Sequence, residues 1–128
     1  MQSSIKTVIY KVDVDLVEQI TVPVGFRQMT LTTQPLTLQG DPSGEDLRKQ
    51  IDTWVSEVNA VLPDSMAGTV TFKATPPRTF YAYDIPDGVV DLSAPSFVST
   101  DIPIDYITVE TTGLTGSTHL AITISSYL

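Results

Sequence analysis

The sequence predicts a mainly β fold, an antiparallel β-sandwich or barrel-like domain with one amphipathic helix, over about 44–62, packed on the sheet. Three observations lead there. Most of the 128 residues fall in short Thr- and Val-rich runs cut by nine prolines and seven glycines, the rhythm of strands and turns. Within those runs apolar and polar residues alternate, which is the period of a half-buried strand. One segment, Gly44 to Leu62, departs from that rhythm and takes helical spacing.

Taken in order, Ser4 to Leu16 reads as one long strand. Val8, Tyr10, Val12, Val14 and Leu16 share one face, and Lys11, Asp13 and Asp15 share the other. Glu18 to Val22 continues it after a kink, and Pro23-Val24-Gly25 turns the chain. Gln28 to Thr33 is a second strand with Met29 and Leu31 inward. Pro35 is expected to interrupt it, so that Leu36 to Gln39 forms a separate run ending at Gly40.

The helix begins near Asp41-Pro42-Ser43-Gly44, where either Asp41 or Ser43 is placed to cap it. Leu47, Ile51, Trp54, Val55, Val58, Val61 and Leu62 then form one apolar stripe, and Pro63 stops it. Trp54 lies in that stripe, which makes it a packing residue rather than a stacking platform.

Strand grammar returns at Thr69 to Thr75, with Val70, Phe72 and Ala74 on one face. Thr79 to Asp84 follows, setting Tyr81 and Tyr83 together opposite Phe80 and Ala82. Ile85-Pro86-Asp87-Gly88 is a turn, Val89 to Leu92 a short strand, and Ser93 to Pro103 a loop with an extended piece around Phe97-Val98. The end of the chain reads as a hairpin: Ile104 to Thr111, a connection at Gly113-Leu114-Thr115-Gly116, then Thr118 to Tyr127 with Leu120, Ile122 and Ile124 inward. No repeat or linker divides residues 1–128, so one domain is expected.

Composition narrows the function classes. With 15 acids against 7 cations the net charge is −8, and the cations are scattered, the opposite of a phosphate-binding face. The same balance argues against an anionic membrane surface. The opening residues lack the charged and apolar regions of a secretory signal, and no apolar run is long enough to span a bilayer, so a chain soluble as made is expected. With no cysteine, neither disulfides nor thiolate metal sites are available.

No motif names a chemistry, and no catalytic residue, cofactor or metal is expected. His119 is the single histidine; its parity opposes Leu120, Ile122 and Ile124, and no nucleophile elbow accompanies it, so a surface or interface position is expected. Asp13 and Asp15, about 7 Å apart by two-residue spacing, suit a solvated or subunit-facing strand surface better than a catalytic pair in a cleft. Asp84, Asp87 and Asp91 surround the Pro-Asp-Gly turn without the register of a calcium-binding loop, and Asp in turns bonds its own backbone. Tyr81 and Tyr83 form an aromatic ledge. Tyr combines apolar area with a polar tip, which favours an interface. Tyr81, Tyr83, His119, Asp13 and Asp15 are therefore the candidate interface residues.

The segment Asp105-Tyr106-Ile107-Thr108-Val109-Glu110-Thr111-Thr112-Gly113-Leu114-Thr115-Gly116-Ser117-Thr118-His119-Leu120-Ala121-Ile122-Thr123-Ile124 resembles the terminal hairpin of small β-sandwich virion proteins of tailed bacteriophages. Ile20 to Thr32 has a similar texture, and together they cover about a quarter of the chain. The resemblance implies a structural role in the virion: a capsid decoration (cement) protein, homo-oligomeric and bound to the major capsid protein, or else a tail, baseplate or connector component bound to tail proteins. A carbohydrate-binding or adhesin module built on Tyr81 and Tyr83 is the alternative from a different class.

Overall fold

The computed structural model describes residues 3–12, 14–22, 28–36, 66–94, 96–101, 103–117 and 119–127. Within them lie eight strands: β1 (Ser3–Lys11), β2 (Val17–Thr21), β3 (Gln28–Leu36), β4 (Ala67–Thr75), β5 (Tyr83–Asp91), β6 (Val98–Thr100), β7 (Tyr106–Thr115) and β8 (His119–Tyr127). They form two four-stranded sheets, β1-β8-β3-β6 and β2-β7-β4-β5, and every pairing is antiparallel. The helix expected over 44–62 lies outside the described residues.

Alternation sets the core. In β4, Val70, Phe72 and Ala74 are almost wholly buried, as are Ile107 and Val109 of β7 and Ile20 of β2. The other sheet contributes Met29 and Leu31 from β3, Val98 from β6, and Leu120, Ile122 and Ile124 from β8. All belong to one apolar cluster, with Val8 and Tyr10 packed against it. Each of these side chains larger than alanine contributes roughly 1.5–3 kcal/mol by leaving water. A core shared by two sheets is thus the main stabilising feature.

Four expectations are corrected, and one physical reason covers the first two. The strand expected from Ser4 to Leu16 is two strands in different sheets: β1 ends at Lys11, and β2 begins at Val17 against β7. Val12 is buried at the crossover while Val14 is exposed, so the alternation fails where the chain changes sheets. The terminal hairpin is likewise absent. β7 pairs with β2 and β4, and β8 pairs with β1 and β3. Their inward residues meet across the core without a shared backbone ladder. Alternation reports which side of a strand is buried and is blind to which sheet holds it.

Pro35 does not interrupt β3, which runs on to Leu36 against β8 with Pro35 opposite Leu120. On the other side of β3, β6 reaches only Met29 to Leu31. Pro35 therefore sits where β3 needs no donor on one side, the position a sheet tolerates. Finally, Ile85-Pro86-Asp87-Gly88 does not reverse the chain. Thr71 pairs with Val89 and Lys73 with Asp84, so these residues bulge from a strand that continues, with Asp87 at φ 58°. A Cβ on Gly88 would meet the carbonyl oxygens of Ile85 at 2.7 Å and Phe72 at 2.8 Å.

The two sheets are tied together along the side where β1 and β2 lie. Lys6 Nζ donates to the carbonyl oxygen of Thr21 at 3.1 Å. Burial, and then the negative charge of Glu18, push the Tyr10 phenol above its ordinary pKa. At the start of β2, the Leu16 N–H donates to Thr111 Oγ1 at 2.8 Å and the Thr111 N–H donates to the Leu16 oxygen at 2.9 Å.

Candidate interaction surface

The connection between β4 and β5 and the first residue of β5 carry three exposed aromatic side chains close together in sequence, whereas Phe97, also exposed, stands apart before β6. Pro76 and Pro77 fix two φ angles, and Arg78 follows at φ 63°, a left-handed conformation that costs roughly 1–2 kcal/mol outside glycine. Thr79 holds the bend, donating to the Pro76 carbonyl from its N–H at 3.3 Å and from its hydroxyl at 3.0 Å. The chain that leaves this bend places Phe80 fully in solvent, with Tyr81 66 % and Tyr83 51 % exposed.

The ledge expected from Tyr81 and Tyr83 is present. Their rings lie 4.8 Å apart at 65°, edge to face, a favoured aromatic geometry. Its setting differs from the expectation, because residues 79–82 are not strand and β5 begins only at Tyr83. Phe80, expected on the face opposite the tyrosines, is exposed with them. The prolines and Arg78 set the chain into a bend, so parity along 79–84 has no sheet to refer to. Tyr106, 41 % exposed, starts β7 opposite Thr75, the last residue of β4, and so lies at the same end of the sheet.

The other candidates have different surroundings. His119 does oppose Leu120, Ile122 and Ile124 in parity, but it is 4 % exposed and not at the surface. It sits in the central strand β8, in register with Lys11 on one side and Leu36 on the other. Asp15 is not on a strand face. Its Oδ1 accepts the N–H of Gly113 at 2.9 Å, which holds the crossover against the β7 bulge. Asp13 lies outside the described residues.

Around the β5 bulge, Asp91 turns away to Ser93, accepting from its hydroxyl at 2.7 Å and its N–H at 3.0 Å. Those bonds hold its carboxyl below the usual carboxylate range. Among the described residues no three His, Asp or Glu side chains are grouped to hold a metal. A recess of about 370 Å³ lies beside β3 and β6, with Gln28, Thr30, Thr100, Asp101 and Tyr127 in its wall. A second recess of similar size lies at the bulge, with Asp84, Asp87, Thr71 and Val89 in its wall.

Phe80 and Tyr106 are surface aromatics that the sequence reading did not single out. The signal for Phe80 was the Pro-Pro-Arg bend before it, which removes the strand that would have buried it. For Tyr106 it was parity: Ile107 and Val109 point inward, which turns Tyr106 outward.

No family model, curated protein or solved structure matches this chain.

Proposed function

We infer that this protein works by surface complementarity, as a structural component that binds neighbouring protein subunits without transforming a substrate. The specific form proposed is a virion protein of a tailed bacteriophage, a homo-oligomeric capsid decoration protein, with a tail, baseplate or connector component as its nearest variant. In this reading the two sheets are the leaves of a β-sandwich, and the β4–β5 connection is the docking element.

The observation that supports it is the Phe80-Tyr81-Tyr83 cluster, three aromatic side chains exposed on a bend held by its own hydrogen bonds. Exposed aromatic groups of this kind mark contact sites. Burying one ring removes roughly 150–250 Å² from water. At about 25 cal/mol per Å², covering Phe80 alone gives about 4 kcal/mol before the costs of association. The edge-to-face tyrosines present little flat area to a sugar ring, which ranks the carbohydrate-binding alternative below subunit docking. The terminal segment on which the phage resemblance stands is an arch between sheets, so the surface, rather than that segment, supports the reading.

The experiment is a gel of purified particles from the virus encoding the chain. The reading expects the protein among the structural bands, and its copy number separates head from tail: hundreds of copies for a capsid protein, a small multiple of six for a connector or baseplate. Absence from particles, or binding of the isolated protein to a glycan array, would replace it.

A further inference from the structure

We propose that the edge of β1, which no described strand pairs, joins two copies of this chain, antiparallel, about a two-fold axis at Thr7. The inference rests on the assembly reading above and gives it a second surface, remote in sequence from the aromatic bend.

Among the described residues, three of the four sheet edges are short or carry a device that discourages strand addition. β5 contains Pro86 and the bulge at Asp87 and Gly88. β6 is three residues long. β2 has five residues, and its last carbonyl, that of Thr21, accepts the Lys6 ammonium. β1 differs. Its nine residues pair with β8 in an unbroken register from Ser3 to Lys11, without a bulge, a proline, a glycine or an acidic residue. Its protecting charges are two lysines, Lys6 and Lys11, and the Lys6 ammonium is turned to the Thr21 carbonyl of the other sheet. Such an edge offers a regular row of backbone donors and acceptors to another strand.

The side chains select a second copy as the occupant. With the axis at Thr7, the centre of β1, all nine residues find a mate. Ile5, 73 % exposed, then stands opposite Ile9 of the second copy, and Lys6 opposite Val8. No two cations face each other. Moving the axis to Lys6 sets lysine against lysine, and moving it to Val8 sets Ile5 against Lys11. Apolar pairs across antiparallel strands contribute roughly 0.2–1 kcal/mol each, and like charges directly opposed destabilise. The register at Thr7 is therefore the favoured one.

The sheet face continuous with this edge agrees. Its three central cross-strand rows are Ile5-Ser125-Thr30, Thr7-Thr123-Thr32 and Ile9-Ala121-Gln34, and the row of Lys11 and His119 lies at the end of the face. None of these nine residues is charged, in a chain of net charge −8. Depletion of charge is the compositional mark of an interface centre. Pairing β1 with its copy would join two such faces into one.

The cysteine-free chain permits a direct test on the whole protein. Directly opposed residues of antiparallel strands have Cα atoms about 4.5–5.5 Å apart, within the roughly 4.4–6.8 Å a disulfide spans. Under mild oxidation T7C should form a covalent dimer with wild-type circular dichroism. V89C, similarly exposed on the edge strand β5, should stay monomeric. Sedimentation velocity should show a wild-type dimer whose dissociation constant rises about tenfold or more in I5K, with the monomer's own fold unchanged. Wild-type protein that remains monomeric, equal cross-linking of T7C and V89C, or an unaltered dissociation constant in I5K would each overturn the proposal. Particle incorporation is read separately. A monomer found in particles sinks the β1 pairing alone, and a T7C dimer absent from particles sinks the virion reading alone.

Discussion

Gly68 lies in β4 where Ala67 pairs with Thr115 and Thr69 with Thr112, so that β7 carries the extra residue of a bulge. Its φ is +110°, and a Cβ there would fall 2.6 Å from the carbonyl oxygen of Gly113. Both the backbone conformation and the backbone contact forbid a side chain. Gly113 itself, at φ +65°, has nothing within 4 Å of its absent Cβ. The two glycines thus separate conformational strain from steric exclusion. In urea unfolding, Gly113→Ala should cost about 1–2 kcal/mol, the left-handed penalty alone. Gly68→Ala should cost more, about 3 kcal/mol, because β4 and β7 must also move apart. Equal losses would mean that contact with the Gly113 carbonyl is not limiting. Tyr10 gives a residue-scale prediction in pH. Burial and Glu18 raise its pKa in the folded state, so the native phenol holds its proton where the unfolded one loses it. Stability tied to Tyr10 is full below the unfolded value near 10 and declines as pH rises through the folded value. Tyr10→Phe should therefore flatten the alkaline loss of stability relative to wild type. Chemical unfolding of both proteins at neutral pH and above pH 10 measures the difference.

At the scale of elements, the crossover between sheets is held by two side chains, Asp15 at the exposed Gly113 and Thr111 from within the structure. Thr111 is buried, and its hydroxyl accepts the Leu16 N–H. Thr111→Val keeps the volume and leaves that donor unpaired, at a cost of about 1–3 kcal/mol. The loss should concentrate on β2: its amides should exchange hydrogen faster while those of β4 and β8 stay protected. A uniform loss of protection would place the role of Thr111 in the core instead. The same crossover shows what the sequence could and could not reveal. Met29, Leu31, Val70, Phe72 and Ala74 were legible as inward residues because period two reports burial directly, and β6 was legible as an extended piece around Phe97-Val98. Sheet membership was not. Among the described strands only β4 and β5 are neighbours in both chain and sheet. Val12 and Val14, or Thr111 and Leu120, therefore continue a local pattern while belonging to different ladders. Tyr81 and Tyr83 were legible as a ledge from their spacing, though in a bend and not a strand. His119 was misplaced because parity put it outside the core, and an outward position in a central strand need not be solvated.

For the whole molecule, the distribution of apolar area outweighs any single group. The core is complete without the β4–β5 connection: Phe80, Tyr81 and Tyr83 are exposed, and none belongs to the buried cluster. Their removal should leave stability within about 1.5 kcal/mol of wild type, the usual effect of surface substitutions taken three times. A triple variant, Phe80→Ser, Tyr81→Ser and Tyr83→Ser, therefore isolates docking from folding. Its circular dichroism should match wild type and its urea unfolding should stay cooperative, while its retention on particles should fall at least tenfold, since loss of about 1.4 kcal/mol already suffices for that factor. Arg78→Ala in the same bend should have a smaller effect, because an exposed guanidinium adds charge at the rim of a contact and little at its centre. Retention should also depend only weakly on salt, as apolar burial does, despite the net charge of −8. Full retention of the triple variant on particles would move the contact away from this bend. Retention that collapses with added salt would instead assign it to the chain's acidic groups.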